Sequence, residues 1–488
     1  MGIKSYYEWL HKNYEYAIKQ AIKIQKYDHI LIDTNFVLHN AMYNSKTEKD
    51  FIVRVYQALD FIFSRFIALH SVYIAIDGPA PYSKIALQRK RRSKIMSDQL
   101  ERDTISPLCL TSGTALMENL TKHLIHYFQS RRHWFSYRKL RFFISPASES
   151  GEGEIKIFSQ IKKINEQYPE DNFLVVGNDA DLVVLAMACQ PVTNLDILIR
   201  KDKENKLISL DSLINQHRIR VAHLLYDHHN AIPEIDKIRD DFAVVSMMMG
   251  NDYLTKIYYI KAFSLWESYF RTKTCREDYL MDGIKFNKDF LADMMLDLSL
   301  SMAPKYRQMK FYKHNKYSNK AVKNYLEGFL WCLQMYRTGQ CPMIDYLFED
   351  IIPRPYEVFY YLTLGKKEDP VVPRSEILPV PYYAYTLLVL PRKAKKFIPD
   401  KYHSLMDNEL DILYRDEECQ ECLKHRSQLS DLHKKMIILR KNNEDTTEVR
   451  QQIGEVSKGL HAHKKDHEKP VSISEMVKMI TNSVEAIS

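Results

Sequence analysis

Short apolar runs that alternate with amphipathic stretches restrict the possible folds of this chain more than any other feature. From residue 29 onward, the segments between the apolar runs carry apolar residues at helical spacing. This alternation predicts β-α-β units, and hence an α/β fold with a largely parallel sheet flanked by helices. The predicted strands are His29 to Ile32, Val72 to Ile76, Leu140 to Ile144, Phe173 to Val176 and Ile197 to Ile199. The predicted helices between them include Phe51 to His70, Leu116 to Phe128 and Glu154 to Tyr168.

Three of the predicted strands lead directly into an aspartate. Asp33 follows Ile-Leu-Ile, Asp77 follows Ile-Ala-Ile, and Asp179 follows Val-Val-Gly-Asn. In open parallel sheets, ligands bind beyond the carboxyl ends of the strands. We therefore expect these three carboxylates to converge on one crevice.

Four further acids complete a candidate metal site. They are Glu152 and Glu154 in Ser-Gly-Glu-Gly-Glu, Asp181 in Gly-Asn-Asp-Ala-Asp, and Asp252 in Met-Gly-Asn-Asp-Tyr. Hard divalent cations such as Mg²⁺ prefer carboxylate oxygens, and two of them about 3.5–4 Å apart stabilise both the attacking and the leaving oxygen of a phosphodiester. The alternative is that each acid caps a helix or ends a strand. That alternative explains a single acid as well as a metal does, but not the whole set.

A basic segment follows the second of these aspartates. Its polar side chains at helical spacing are Lys84, Gln88, Arg91 and Arg92. They share one face of a helix, and bidentate arginine contacts are strong contacts for a phosphate. We expect this face to hold one phosphate at a fixed distance from the metal site. The alternatives are a solvated basic face or, for Lys90 to Arg92, a nuclear-localisation signal.

The composition changes after residue 255. Aromatic residues dominate from Tyr258 to Phe270, and we expect a second, mainly helical region over residues 256–406 that wraps the α/β core of residues 1–255. Eight prolines between Pro353 and Pro399 predict an ordered but irregular stretch, because Tyr, Leu and Val are interleaved with them. Residues 407–488 form a charged tail with heptad-like apolar positions, which predicts one or two exposed helices.

Charge and cysteine usage bound the class of protein. The net charge of +8 permits a polyanionic partner without requiring one. Seven cysteines without a disulfide-framework spacing indicate a reducing compartment. No apolar run has transmembrane length. We therefore expect an intracellular protein with no membrane partner.

One cysteine pair resembles half a zinc site. Cys419 and Cys422 form a Cys-x-x-Cys motif, and His425 follows three residues later. The later histidines, which do not complete a zinc-finger spacing, are His433, His461 and His463. The favoured interpretation is therefore a charged helix without a metal.

Taken in order, these motifs resemble the signature blocks of the Xrn family of 5′-to-3′ exoribonucleases. The first matching blocks are Met1-Gly2-Ile3, Asp33-Thr34-Asn35 with His39 and Asn40, Asp77-Gly78 with Ala80-Pro81, and the Lys84, Gln88, Arg91 and Arg92 set. The later blocks are Gly151 to Lys156, Asp179 to Leu182, Gly250 to Tyr253, Tyr325 to Gly328 with Trp331, and Leu390 through Pro399 to Met406. The resemblance covers most of the first 406 residues, and the order of several blocks makes it specific.

The resemblance implies a PIN-like or flap-nuclease-like core and a 5′-to-3′ exoribonuclease that releases 5′-nucleotides in RNA decay. Two Mg²⁺ ions, with Mn²⁺ as the alternative, would bind to Asp33, Asp77, Glu152, Glu154, Asp179, Asp181 and Asp252. The 5′-monophosphate of single-stranded RNA would bind to Lys84, Gln88, Arg91 and Arg92, and His39 would stack on the terminal base. The resemblance also implies a monomer in the cytoplasm, with the nucleus as the alternative. The short chain suggests a compact viral or protist member, and a viral one would lie in the host cytoplasm or the virion.

One departure from the family and two other functions stay open. The family has a tryptophan-rich block that supplies a second stacking surface, whereas this chain has Gly339 to Tyr346 there, so Met343 and Tyr346 are the candidate replacements. His39 is alternatively a satisfied helix residue. A flap-type structure-specific DNA nuclease shares the acidic α/β core. A catalytically inactive RNA-binding relative is the other alternative, against which the presence of all seven acids argues.

Overall fold

The fold is described here from a computed structural model. It describes residues 6–43, 45–93, 105–133, 138–179, 181–201, 204–226, 232–257, 263–301, 319–364, 368–415, 419–442, 444–465 and 471–486. The block from Met1 to Ile3 and residue Ala180 of the predicted motifs lie outside these residues.

A seven-stranded sheet organises the first half of the described residues. Its strands are β1 (Ile18–Gln20), β2 (Gln25–Asp33), β3 (Phe66–Ala75), β4 (Arg141–Ser145), β5 (Phe173–Val176), β6 (Leu195–Lys201) and β7 (Glu204–Ser209), in the spatial order β1-β7-β6-β5-β2-β3-β4. The five strands from β6 to β4 are parallel, while β7 and β1 extend one edge in antiparallel pairing. The strand order reverses beside β2, because β3 and β4 lie on one side of it and β5 on the other. Such a reversal opens a crevice at the carboxyl edge of the sheet.

Helices cover both faces of this sheet. They are α1 (Tyr6–Asn13), α2 (Thr34–Met42), α3 (Glu48–Arg65), α4 (Tyr82–Arg92), α5 (Ala115–Arg131), α6 (Gly153–Gln167), α7 (Asp181–Ala188), α8 (Leu210–Tyr226) and α9 (Ile235–Met248). Successive side chains of a strand point to opposite faces. Accordingly, Ile30 and Ile32 pack in the core that contains α2, α3 and α5, whereas Leu31 packs in the core that contains α6, α7 and α9.

The predicted α/β fold with a largely parallel sheet is confirmed, and each predicted strand overlaps an observed one. The predicted helix from Phe51 to His70 is wrong at its end, because α3 ends at Arg65 and β3 begins at Phe66. Parallel pairing with β2, which starts at the Gln25↔Phe66 pair, outweighs helical spacing in this segment. Strands β1 and β7 were not predicted, since their sequences Ile-Lys-Gln and Glu-Asn-Lys-Leu-Ile-Ser are mostly polar.

Helices dominate the described residues beyond α9. They are α10 (Ser264–Thr274), α11 (Lys288–Ser301), α12 (Asn319–Thr338), α13 (Pro355–Leu364), α14 (Tyr382–Val389) and α15 (His403–Asp407), with a small hairpin of β8 (Met281–Asp282) and β9 (Lys285–Phe286). The core that contains α7 and α9 also contains α12. Because this core crosses residue 255, the boundary between the first two regions stays a prediction. The proline-rich stretch holds two helices, since Pro355 opens α13 and Pro381 precedes α14, positions that tolerate proline.

The charged tail contains three described helices. They are α16 (Gln420–Lys441), α17 (Thr447–Lys465) and α18 (Ile473–Glu485). Helices α16 and α17 are largely exposed, as the charge pattern predicted, and they pack on each other, which it did not predict. Helix α18 differs, because Ile473, Met476 and Ile480 are buried in a core shared with α4 and α14. Across the described residues, no helix is long and apolar enough to cross a membrane.

Candidate active site

All seven predicted acids lie around one cavity at the carboxyl edge of the sheet. Strands β2, β3 and β5 lead into Asp33, Asp77 and Asp179. The N-termini of α6 and α7 carry Glu152, Glu154 and Asp181, and the loop after α9 carries Asp252. The structure therefore brings these carboxylates together, and which of them bind metal stays a prediction.

Asp33 and Asp77 are held in place by neighbouring amides. The backbone N–H of Asn35 donates to Oδ1 of Asp33 at 3.1 Å, so that Asp33 also caps α2. The side-chain amide of Asn35 donates to Oδ2 of Asp77 at 2.5 Å, and the backbone N–H of Gly153 donates to Oδ1 of Asp77 at 2.6 Å. A Cβ at Gly153 would lie 3.0 Å from Oδ1 of Asp33. The cap interpretation is thus correct for Asp33, and glycine lets α6 start against both carboxylates.

Two loops are joined behind the acids. The N–H of Gly78 donates to the carbonyl oxygen of Gly151 at 2.9 Å, and the N–H of Gly151 donates to that of Pro79 at 2.8 Å. A Cβ at Gly78 would lie 1.6 Å from the carbonyl oxygen of Glu149. Gly151 has a φ of +103°, which side chains rarely adopt. These contacts fix the end of β3 relative to the start of α6.

An ionic network links the acids to the basic helix α4. The ammonium of Lys84 pairs with Glu152 and, at 2.8 Å, with Oδ2 of Asp252. Nη2 of Arg91 lies 2.9 Å from Oδ1 of Asp252, and the hydroxyl of Tyr253 donates to Glu152. Lys84 and Glu152 are only 8% and 3% exposed. These charges therefore compensate one another away from bulk water.

Crowding of the carboxylates shifts their protonation. Burial raises the pKa of Asp33 to about 8, and the Asp77 carboxylate adds to this rise. Burial also raises the pKa of Glu154 well above its usual value, with neighbouring carboxylates contributing. At Asp252 the burial is outweighed by its basic partners, which hold its pKa below the usual range. Negative charge thus exceeds the positive charge that the cavity provides, and the oxygen donors fit hard divalent cations.

Gln88 and Arg92 form a second part of the network. Nη1 of Arg92 donates to Oε1 of Gln88 at 3.0 Å, and its Nε donates to Oγ1 of Thr111 at 3.0 Å. The hydroxyl of Tyr385, from α14, donates to the same oxygen of Gln88 at 3.0 Å. Lys90, by contrast, is exposed. The solvated-face interpretation is therefore wrong for the four predicted residues of α4, whose side chains line the cavity.

The acids and the basic residues line a single cavity of about 540 Å³. The twelve predicted residues in its lining are Asp33, His39, Asp77, Lys84, Gln88, Arg91, Arg92, Glu152, Glu154, Asp179, Asp181 and Asp252. A cavity of this size is typical of sites that bind a small molecule or one unit of a polymer. What each residue binds stays a prediction.

Two groups of residues at the site were not assigned from the sequence. Asn35 and Tyr253 hydrogen-bond to the predicted acids Asp77 and Glu152, and each stands close to another predicted acid inside its own motif, which was the available signal. The apolar side of the cavity is formed by Phe36, Pro107, Leu108 and Leu110. The last three belong to no motif, so no sequence pattern pointed to them.

His39 and the two candidate stacking replacements differ in position. The His39 side chain is exposed and lines the cavity, and no described residue hydrogen-bonds to its ring, so the satisfied-helix alternative is wrong. The ring surface is open to the cavity, but the protein atoms around the ring partly desolvate it and so lower the pKa of His39, which favours a neutral ring. Met343 packs against the core, and Tyr346 is 7% exposed and stacks on Trp331 at 5.0 Å between ring centroids. Neither lines the cavity, so the expectation that one of them replaces the stacking surface is wrong.

Comparison with protein families identifies the N-terminal region. Residues 1–201 match the family model described as XRN 5′-3′ exonuclease N-terminus. The resemblance seen in the motifs is confirmed. The matched XRN range holds six of the seven acids and the whole basic set, whereas Asp252 lies beyond it.

Several XRN relatives match over a longer part of the chain. The 5′-3′ exoribonuclease 2 of Gallus gallus is 26% identical over an alignment of 260 residues, and the match covers 42% of this chain and 27% of that protein. The 5′-3′ exoribonuclease 1 of Schizosaccharomyces pombe is 24% identical over 293 residues, and the match covers 52% of this chain and 22% of that protein. The 5′-3′ exoribonuclease 1 of Saccharomyces cerevisiae is 23% identical over 296 residues, and the match covers 53% of this chain and 19% of that protein. The chain thus spans about a quarter or less of the length of these relatives.

Solved structures give a weaker likeness. The T5 D15 protein co-crystallized with metal ions is 12% identical, with 64% of this chain and 99% of that chain covered at a TM-score of 0.26. This score carries no argument for the function of the XRN-like chain.

Stability in the absence of divalent cations should depend on pH through these carboxylates. The folded state keeps protons on Asp33 and Glu154 that the unfolded chain releases near its ordinary acid pKa. The resulting stabilisation is complete at about pH 4, and the part that Asp33 contributes is lost as the pH rises to about 8. We expect Mg²⁺ to replace these protons, and so to raise the melting temperature more at about pH 8 than at about pH 5. Thermal melts in EDTA and in Mg²⁺ measure both shifts.

Asp33→Asn is the control for this prediction. It removes one titrating carboxylate, so the loss of stability between about pH 5 and pH 8 in EDTA should become smaller than in the unaltered chain. An equal Mg²⁺ shift at both pH values would contradict the assignment of the cavity as a cation site.

Proposed function

We propose that this chain is a 5′-to-3′ exoribonuclease that hydrolyses 5′-monophosphorylated single-stranded RNA and releases 5′-nucleotides in RNA decay. The observation that carries the proposal is that Asp252 contacts both Lys84 and Arg91, so that the acids and the basic helix share one cavity. An RNA end bound by the basic side chains then lies beside the carboxylates. Hydrolysis at that place removes the terminal nucleotide, whereas an endonuclease needs no such end-binding group.

Two Mg²⁺ ions, with Mn²⁺ as the alternative, suit this donor set best, because oxygen-only ligands favour hard cations. The proposed ligands are Asp33, Asp77, Glu152, Glu154, Asp179, Asp181 and Asp252. When bound, such ions supply an activated water and neutralise charge that develops on the phosphodiester oxygens. Asn35 and Gly153 orient Asp77. Tyr253 orients Glu152, so these three act as positioning residues.

The 5′-monophosphate is proposed to bind at Arg91 and Arg92, with Lys84 and Gln88 beside them. Gln88 holds Arg92 through a hydrogen bond, so the guanidinium is already oriented before the phosphate arrives. Asp252 does the same for Arg91 and Lys84, and a phosphate dianion competes with it for the guanidinium. A 5′-hydroxyl offers no charge to these groups, and a triphosphate or cap exceeds a site for one phosphate.

The terminal base is proposed to lie between His39 and the apolar side of the cavity. His39 presents an exposed ring that the surrounding protein favours in its neutral form. Pro107 and Leu110 offer apolar surface in the same cavity. Stacking and apolar contact accept any base, as general RNA degradation requires.

Replacing a carboxylate by its amide should separate catalysis from binding. Glu152→Gln and Asp181→Asn should each lower kcat by at least about 100-fold, since even residues that only support a metal ligand cost 10–100-fold. Binding of single-stranded RNA should stay near that of the unaltered chain, because the metal acts on the transition state. Glu166→Gln, an exposed site near the end of the same helix α6, is the control. A near-normal rate in either amide variant would refute the two-metal proposal.

The rate should depend on the 5′ end of the RNA. Matched substrates with a monophosphate, hydroxyl or triphosphate end should differ by about 10-fold or more in kcat/KM, with the monophosphate best, because each charged hydrogen bond contributes roughly 1.5–3 kcal/mol. The double variant Arg91→Ala and Arg92→Ala should remove this preference. Lys90→Ala, an exposed neighbour on the same helix, should keep it. Equal rates on all ends for the unaltered chain would favour a flap-type nuclease or an endonuclease. The rate on DNA of the same sequence then distinguishes the flap-type DNA nuclease from an RNA endonuclease.

Loss of the His39 ring should weaken binding of the terminal nucleotide. We expect His39→Ala to raise the activation free energy for single-turnover decay of a 5′-monophosphate RNA by about 1–3 kcal/mol. Leu110→Ala should have a smaller effect of the same sign, whereas Met343→Ala should leave terminal-nucleotide binding unchanged because Met343 does not line the cavity. His126→Ala, an exposed histidine of α5, is the control. No effect of His39→Ala would mean that the ring does not contact the base.

Four further predictions made from the sequence remain predictions. They concern a monomer, a cytoplasmic location with the nucleus as the alternative, a compact viral or protist source, and the division into residues 1–255, 256–406 and 407–488. Light scattering of the purified chain tests the first of them.

A further inference from the structure

Two cysteines and a histidine meet at the open end of the α16–α17 hairpin. Cys419 directly precedes α16, Cys422 lies in its first turn, and His463 lies near the end of α17. Sγ of Cys419 is 3.2 Å from Nε2 of His463, and the three ligand atoms all lie within 4.8 Å of one another. The interpretation of Cys419 and Cys422 as part of a charged helix without a metal did not anticipate this contact, because His463 follows at no zinc-finger spacing.

We infer that Cys419, Cys422 and His463 form a structural Zn²⁺ site that fastens α16 to α17. Zn–S distances of about 2.3 Å and Zn–N distances of about 2.0 Å place tetrahedral ligand atoms about 3.5–3.8 Å apart. The observed separations therefore require only small side-chain movements. Two thiolates and an imidazole favour Zn²⁺ over the hard cations proposed for the nuclease cavity. A water or His425, one helical turn beyond Cys422, completes the tetrahedron.

The hairpin has little else to hold it together. Among the described side chains, Cys422 is the buried one in α16 and Val449 the buried one in α17. Ile437 and Ile438 are 52% and 59% exposed, and the apolar residues Leu429, Leu432 and Met436 are only half-buried, so the two helices share a thin apolar contact rather than a core. Most of the stability of a helix in a protein comes from tertiary packing of its apolar face, which is small here. A metal at the open end supplies the cross-link that a small apolar core does not.

The packing of the two helices also suits a bound metal. Nδ1 of His425 lies 2.9 Å from the carbonyl oxygen of Glu421, to which it donates, so the ring orientation is fixed with Nε2 turned away from the backbone of α16. This Nε2 faces Gly459 of α17, where a Cβ would lie 2.9 Å away. Glycine therefore lets α17 approach α16 one turn away from the ligand cluster.

Zinc content of the full-length chain tests this inference. Protein purified under reducing conditions without added metal should retain about one Zn²⁺ per chain. The Cys419→Ser, Cys422→Ser and His463→Ala variants should each retain less than about a tenth of that amount. Two matched controls should retain all of it: Cys275→Ser changes an exposed thiol, and His461→Ala changes an exposed histidine two residues from His463.

A second measurement on the unaltered chain keeps the test decisive if a variant misfolds. After removal of zinc, Co²⁺ should restore visible bands of tetrahedral geometry and near-ultraviolet thiolate charge-transfer bands. Only trace zinc together with no cobalt–thiolate bands would overturn the inference. An intramolecular Cys419–Cys422 disulfide in the freshly purified chain, or equal zinc in all variants, would do the same.

Discussion

Lys84 reaches from α4 across the cavity to Glu152 at the start of α6 and to Asp252 after α9. One buried ammonium thus joins the acids at the carboxyl edge of the sheet, the basic helix α4 and the loop after α9. Without it, the carboxylates would repel one another and these elements would separate. Removing one partner of a buried ion pair typically costs about 3–5 kcal/mol, because the other charge is left without compensation. The arrangement of the site depends on this contact more than on any single carboxylate. It is also the reason that the basic side chains of α4 and the acids lie around one cavity.

The alternation of apolar runs and the acids at strand ends were sufficient to predict the parallel sheet and the convergence of Asp33, Asp77 and Asp179. Both are consequences of local periodicity and of a general property of parallel sheets. The sequence could not show the end of α3, where apolar residues satisfy helix and strand alike. Nor could it show contacts between distant residues, such as Tyr385 with Gln88, 297 residues away. Such pairs are selected by tertiary packing, which leaves no spacing to detect.

Tyr346 illustrates why a substituted family block cannot be interpreted residue by residue. Its hydroxyl donates to the carbonyl oxygen of Asn324 at 2.7 Å, and its ring stacks on Trp331. A Cβ at Gly328 would lie 2.4 Å from that hydroxyl, so the glycine of the Tyr-Leu-Glu-Gly block makes room for it. The tyrosine is therefore part of the core. The apolar side of the cavity instead comes from residues around Leu110, far away in the sequence.

The family match ends at residue 201, but the cavity does not. Asp252 and Tyr253 complete the acid network, and Tyr385 holds Gln88 from α14. The guanidinium of Arg89 donates to the carbonyl oxygen of Leu388 at 2.7 Å, so the outer side of α4 is fixed by the same helix. Helix α18 packs against both α4 and α14. Because the orientation of α4 decides where its basic side chains point, residues of the second region and the last helix shape the basic side of the cavity as much as the matched region does.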